Sequence, residues 1–186
     1  MKAFECDVTS VPSVESAVES TVQTFGRIDL LWNNAGYQGE IKPTLEYSMK
    51  DFAAVMDINV TGMFNVLQTV AKQMAAANDM DRSASGSSDD QEGRIFKYAI
   101  VNTASVAGMR GTPGMVAYSS SKAAVLAMTV VSAKDLAPHG IRVNAVSPAL
   151  IGPGYMWTRQ NELHAKSGSP YFSSDPELVA NGKISG

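Results

Sequence analysis

A single cysteine, Cys6, occurs in 186 residues, which excludes an internal disulfide and any cysteine-based zinc cluster. Imidazoles are almost as scarce. His139 and His164 are the two present, too far apart in the chain to suggest a shared metal, and no metal site is expected. No run approaches the ~18 consecutive apolar residues that would span a bilayer, and Met1-Lys2-Ala3-Phe4-Glu5 does not read as a secretory leader. Neither sign of charge dominates: 15 Lys and Arg stand against 18 Asp and Glu, which argues against a nucleic-acid binder that relies on a basic surface. With 45% of residues apolar, the composition is that of one globular domain over 1–186, expected to be soluble and cytoplasmic.

The net charge of −3 is concentrated in one place. Between Asn78 and Arg94 lie Asp79, Asp81, Asp89, Asp90 and Glu92 against Arg82 and Arg94, so this stretch accounts for all of it. It also holds Ser83, Ser85, Gly86, Ser87 and Ser88. Such a stretch has little to bury, and 78–94 is expected to be a solvated acidic insert between two structured elements.

Apolar spacing organises the rest. Ala3–Val8 reads as a short strand. Ser10 can cap the following helix, with Pro12 in its first turn. Val11, Val14, Val18, Val22 and Phe25 share one helical face, and Gly26 ends it. Ile28–Trp32 is nearly continuous in apolar residues and suits a buried parallel strand, stopped by Asn33-Asn34-Ala35-Gly36. A long helix is expected from about Ser48 to Ala77, with Phe52, Val55, Met56, Val60, Phe64, Leu67, Val70, Ala71 and Met74 on its core face. Gly62 and the β-branched residues around Asn59 weaken it. Ile95–Val101 is a further strand, a helix of about 20 residues ends near Pro138-His139-Gly140, and Ile141–Val146 is the last strand. Short helices and loops containing Met156, Trp157, Tyr171 and Phe172 follow. Alternation of apolar strands with helices implies an α/β parallel sheet, and ligands bind such sheets beyond the carboxyl ends of the strands. Asp7, Asn33, Ser105 and Pro148 are placed at four such ends. Trp32, Met56 and the other stripe residues are expected in the core.

Tyr118 and Lys122 lie one helical turn apart on one face. A phenol titrates near 10, and an adjacent ammonium favours its anion. Bringing it near 7 takes about 3 pKa units, on the order of 4 kcal/mol. A tyrosine so tuned could take a proton from an alcohol as hydride leaves, or return one to a carbonyl. Ser105, at a strand terminus before the glycine-rich loop, could hold the substrate oxygen.

The ordered set Asn33-Asn34-Ala35-Gly36, Asn59 in Ile58-Asn59-Val60-Thr61-Gly62, Ser105, Tyr118-Ser119-Ser120-Ser121-Lys122 and Arg142-Val143-Asn144-Ala145-Val146-Ser147-Pro148 resembles the short-chain dehydrogenase/reductase family over nearly the whole chain. The resemblance implies an NAD(P)-dependent oxidoreductase on a Rossmann-like doubly wound sheet, with NAD favoured. By that resemblance Tyr118 is the general acid/base, Lys122 lowers its pKa and binds nicotinamide ribose, and Ser105 orients substrate. Asn59 would hold a proton-relay water at a helix irregularity. Asp7 and Val8 would contact adenine, Asn33 would line the cofactor groove, and Pro148 and Ile151 would touch the nicotinamide amide. Trp32–Gly39, Gly152–Gln160 and Tyr171–Pro176 resemble NAD-dependent xylitol (polyol) dehydrogenases, with Met156 and Trp157 in a mobile lid. The alternatives are a 3-oxoacyl thioester reductase, or a non-catalytic fragment that only associates with other chains. The Ala117, Ala124 and Ala127 face of the Tyr118 helix resembles a subunit interface, implying a homo-oligomer, dimer or tetramer.

The family opens with a strand and a glycine-rich turn that cradles the pyrophosphate, and such a turn is not found here. The family's strand order 3-2-1-4-5-6-7 would put the missing first two strands between Ala3–Cys6 and Ile28–Trp32. The expectation is an incomplete sheet that lacks those two strands and the last one, with its helices on one face and the other face largely bare.

Overall fold

The computed structural model describes residues 1–85 and 96–185. Three parallel strands, β1 (Leu30–Asn33), β2 (Tyr98–Thr103) and β3 (Ile141–Val146), form a sheet in the order β1-β2-β3. Helix α1 (Val11–Phe25) precedes β1, and α2 (Met49–Met56) and α3 (Met63–Ser85) lie between β1 and β2. Helices α4 (Ala107–Arg110) and α5 (Val116–Leu136) lie between β2 and β3, and α6 (Tyr155–Lys166) and α7 (Pro176–Ser185) follow the sheet. This is the α/β, Rossmann-like arrangement expected from the alternation of elements.

Alternation along the strands divides the sheet into two unlike faces. Tyr98, Ile100, Ile141 and Val143 point into the core, where they meet Leu67, Val70, Ala71 and Met74 of α3 and Val14 and Val18 of α1. Among the described residues nothing covers the opposite face. Leu30 is 64% and Trp32 68% exposed there, and Arg142 and Asn144 are exposed on β3. Ile28–Trp32 is therefore no buried strand, and Trp32 is not a core residue. As the edge strand, β1 pairs on one side and is covered on one face. The Trp32 indole instead donates to Thr103 Oγ1 at 2.9 Å.

Ala3–Val8 does not form the expected strand. Among the described residues no parallel partner borders it, and an extended segment without a ladder does not hold its geometry. It ends in a turn in which Ser10 caps α1, as expected, accepting from the Ser13 N–H. Asp7 consequently lies at no strand terminus, and three strand ends rather than four face one side of the sheet.

The long central helix is interrupted where its sequence is weakest. Asp57–Gly62 is a π-helical segment between α2 and α3. One wide turn rotates everything after it relative to a straight helix. Met63 therefore takes the fully buried position, while Phe64, expected on the core face, is 44% exposed. Downstream, Leu67, Val70, Ala71 and Met74 keep the expected spacing because they are regular with respect to Met63. Met56, just before the π turn, is only partly buried.

The acidic insert also begins later than expected. α3 continues to Ser85, with Asn78 buried and Asp81 paired to Lys97 at 3.1 Å and to Arg27 at 3.8 Å. Those cations neutralise a turn that is acidic in isolation, so its polarity is compatible with helix. Residues 86–95 of the insert lie outside the described residues. Among the described residues one helical stretch, Val116–His139, is long and apolar enough by length and composition to cross a bilayer. Here it contains α5, packed against β2 and β3.

Candidate active site

The carboxyl ends of β2 and β3 are tied together beyond the strands proper. Ala104 N–H donates to Val146 O at 2.8 Å and Val106 N–H to Pro148 O at 3.1 Å, which sets Pro148 beside Ser105. The Ser105 hydroxyl accepts from Ala107 N–H at 3.2 Å. Gly108 then lets α4 rest on the α5 main chain, where an added Cβ would stand 2.6 Å from the Lys122 carbonyl carbon. That close approach brings Tyr118 and Lys122 to the end of β2.

Tyr118 and Lys122 face the same way, with Lys122 Nζ 5.7 Å from the Tyr118 ring centroid. Lys122 is 3% exposed and donates to Thr103 O at 2.7 Å. Burial pushes the Tyr118 phenol above its ordinary value, opposed by a hydrogen-bonding interaction with Ser105, and burial pushes the Lys122 amine down. The phenol is thus not acidified in this state. The ammonium that would favour the anion is engaged with a carbonyl, and further positive charge beside the phenol would favour the phenolate.

Asn59 lies in the π segment and is completely buried. Its Oδ1 accepts from Tyr37 N–H at 2.7 Å, and its Nδ2 donates to Tyr37 O at 2.8 Å and to Ser121 Oγ at 2.9 Å. The Ser121 hydroxyl donates in turn to Tyr118 O at 2.8 Å. Asn59 therefore fastens the loop after β1 to the turn of α5 that carries Tyr118. Both hydrogens of its amide are engaged, so the side chain has no donor left for a water and can offer one only an acceptor.

Other residues expected at the site stand further apart. Asn33 is buried, and its Nδ2 donates to Met63 O at 2.9 Å and Asn102 Oδ1 at 3.3 Å. Its side chain ties β1 to the start of α3 instead of turning into a groove. Asp7 is exposed, with Oδ1 accepting from the Thr9 N–H and hydroxyl. Val8 packs against Gly62, where a Cβ would come within 2.7 Å of Val8 Cγ2. Ser105, Tyr118, Pro148 and Ile151 line one cavity of about 250 Å³, together with Met156 and Trp157 of α6. Ala117 is buried within the chain, so it is not free to form an outer interface with Ala124 and Ala127.

Gln160 and His164 of α6 and Lys183 of α7 also line this cavity, which the sequence alone does not indicate. Lys183 Nζ donates to Asn161 Oδ1 at 2.8 Å and lies 3.2 Å from His164 Nδ1. Trp157, Gln160, Asn161 and His164 follow helical spacing, which was a visible signal. Nothing local, however, says that this polar stripe faces inward. Burial, reinforced by the Lys183 ammonium and opposed by the Gln160 carbonyl, pushes the His164 imidazole from 6.5 down to about 4.

A pH dependence follows. Below 6.5 the unfolded chain takes up a proton at His164, while the folded chain does so only near 4. Stability is therefore complete above 6.5 and declines as pH falls towards 4, by up to about 2–3 kcal/mol from this residue. Denaturant melts between pH 7 and 4 should show a shallower decline in His164→Gln than in the wild-type chain. Equal slopes would remove the assignment.

Comparison with known proteins agrees with this arrangement. A family model described as short chain dehydrogenase matches residues 1–163. The human 3-hydroxyacyl-CoA dehydrogenase type-2 is 36% identical over 180 residues, covering 94% of this chain and 58% of that protein. The 3-oxoacyl-acyl-carrier-protein reductase of Synechocystis is 36% identical over 149 residues, covering 80% of this chain and 53% of that protein. A crystal structure of NAD+-bound xylitol dehydrogenase superposes with a TM-score of 0.87 at 49% identity, covering 98% of this chain and 63% of the other. The chain thus spans between half and two thirds of the length of these relatives. A match through residue 163 that takes in β1 to β3, the π segment and the Tyr118–Lys122 turn places this chain in the short-chain dehydrogenase/reductase family.

Proposed function

We propose that this chain forms the catalytic part of a nicotinamide-dependent oxidoreductase that interconverts an alcohol, a polyol such as xylitol, and its ketone. One observation carries the reading: Ser105 and Tyr118 open onto the same cavity, with Lys122 behind the phenol. The residues present fit the nicotinamide riboside end of a dinucleotide. Lys122 Nζ uses one N–H on Thr103 O and has donors left for ribose hydroxyls. A Cβ on Gly36 would stand 3.6 Å from that amine, so glycine leaves the approach to it open. The NAD+-bound state of the xylitol dehydrogenase neighbour supports NAD over NADP.

A bound nicotinamide supplies or accepts the hydride. For reduction, Ser105 donates a hydrogen bond to the ketone oxygen and Tyr118, protonated in this burial, delivers the proton to it. For oxidation the phenol must first lose its proton, which the buried Lys122 ammonium 5.7 Å from its ring centroid would favour. Pro148 and Ile151, in the segment that follows β3, line the cavity beside Ser105 and Tyr118.

The curated relatives named for hydroxyacyl and oxoacyl substrates favour a 3-oxoacyl thioester reductase as the second reading. The open face bearing Leu30 and Trp32 favours a third, a chain that associates without catalysis. Incubation with NAD or NADP and a pentitol, and with reduced cofactor and a 3-oxobutyryl thioester, separates them through the nicotinamide absorbance. Faster turnover of the pentitol with NAD is expected. Preference for the thioester would replace the polyol assignment, and no turnover of either by a cooperatively folded, cofactor-saturated chain would favour association.

A further inference from the structure

His164 presents an unusual buried group in the wall of the cavity that Ser105 and Tyr118 also line. It is 2% exposed, it lines the cavity, and its Nε2 has no hydrogen-bond partner among the described residues. Orphaned buried polar atoms are uncommon because each forfeits about 1–3 kcal/mol of hydration. The nitrogen is closed to water in this structure, and an orphaned acceptor in a cavity wall is where the hydroxyl of an entering ligand can complete the bond.

The ring's tautomer follows from its other nitrogen. Nδ1 lies 2.7 Å from Gln160 O, a separation at which two lone pairs would repel, so Nδ1 carries the proton and donates it. Lys183 has its own acceptor in Asn161 Oδ1 at 2.8 Å and need not donate to Nδ1. The ring packs against Phe172, with centroids 4.3 Å apart. Nε2 is left as a lone-pair acceptor. A neutral ring suits this role, and burial beside an ammonium keeps it neutral through ordinary pH.

We infer that His164 Nε2 accepts a hydrogen bond from a substrate hydroxyl remote from the carbon that exchanges hydride, making α6 a specificity wall for polyhydroxylated substrates. The inference rests on the polyol reading above and adds the residue that recognises the second hydroxyl. The Lys183 ammonium, 5.7 Å from the Trp157 ring centroid, gives the same wall a positive charge that suits hydroxyl oxygens. A cavity of about 250 Å³ falls just below the roughly 300–1,000 Å³ typical of drug-sized ligand sites, a size that suits a short polyhydroxylated chain.

The test pairs two ligands of equal carbon number, a pentitol and pentan-3-ol, on the cofactor-saturated protein. His164→Phe should weaken pentitol binding by at least about tenfold relative to pentan-3-ol. Imidazole nitrogen NMR of the wild-type protein provides a readout that does not depend on the variant folding. The Nδ1–H tautomer is expected, with the Nε2 resonance moving on addition of pentitol and not of pentan-3-ol. An unchanged ratio of pentitol to pentan-3-ol affinity in the variant, an Nε2–H tautomer, or an unmoved Nε2 resonance with pentitol bound would overturn the His164 inference alone. Failure of the wild-type protein to bind pentitol while it binds pentan-3-ol or a thioester would overturn the polyol reading and this inference together.

Discussion

Replacing Tyr118 with Phe is expected to lower turnover by roughly a thousandfold, within the 10²–10⁴ range that positioned proton transfer contributes. Affinity for reduced nicotinamide should hardly change. The physical basis for separating the two effects is that the Lys122 amine is held by Thr103 O at 2.7 Å and not by the phenol. Deleting one oxygen therefore leaves the amine where it is. The fold should also survive, because the phenol's polar contact in the site is the interaction with Ser105, worth about 1 kcal/mol net. Steady-state turnover and quenching titration with reduced cofactor check the two halves separately. Turnover within tenfold of wild type would reject Tyr118 as the acid/base. A parallel collapse in cofactor binding would instead mean that the phenol is part of the ribose site.

The largest effect on stability is expected at Asn59. Asn59→Ala removes the partner of the Tyr37 N–H, the Tyr37 carbonyl and the Ser121 hydroxyl in one step. Each such group left unpaired away from water costs about 1–3 kcal/mol. Tyr37 lies near the surface and regains part of this from solvent, so a total of about 2–4 kcal/mol is expected. For a chain of this length that corresponds to a drop of roughly 5–15 °C in Tm. Because Ser121 also donates to Tyr118 O, the same variant should lose turnover through displacement of α5, with cofactor affinity less affected. Thermal melting followed by circular dichroism decides it. A variant melting within about 2 °C of wild type would show that the π segment does not depend on this amide.

Much of the architecture was legible in the chain, and the reasons are local. Ser10, Pro12 and Gly26 bound α1 because capping and φ preferences act within a few residues. Tyr118 and Lys122 share a face because helical periodicity is independent of what surrounds the helix. The weakness around Asn59 was readable as β-branched residues beside a glycine, and it was expressed as a π turn. The rotation that turn imposes, which buries Met63 and exposes Phe64, depends on how α3 meets the sheet and could not be read from a regular repeat.

Other features depended on neighbours that lie far away in sequence. Ala3–Val8 has strand composition, yet a strand exists only when a ladder partner is present. Trp32 has the character of a core residue, yet its burial depends on whether anything covers that face of β1. The polarity of Asp79–Ser85 suggested a loop, and the cations Lys97 and Arg27 made helix acceptable there. In the sequence His164 is only a scarce imidazole. Its inward aim, its shared wall with Lys183 and its depressed pKa arise where α6 and α7 close over the ends of the strands.

By itself the sequence determined which elements form and which side chains share a turn, because dihedral preference and periodicity are short-range. The tertiary structure alone decided which faces are covered, which polar atoms find partners and what lines the cavity with Ser105 and Tyr118. Burial and hydrogen-bond satisfaction are properties of residues brought together from distant parts of the chain.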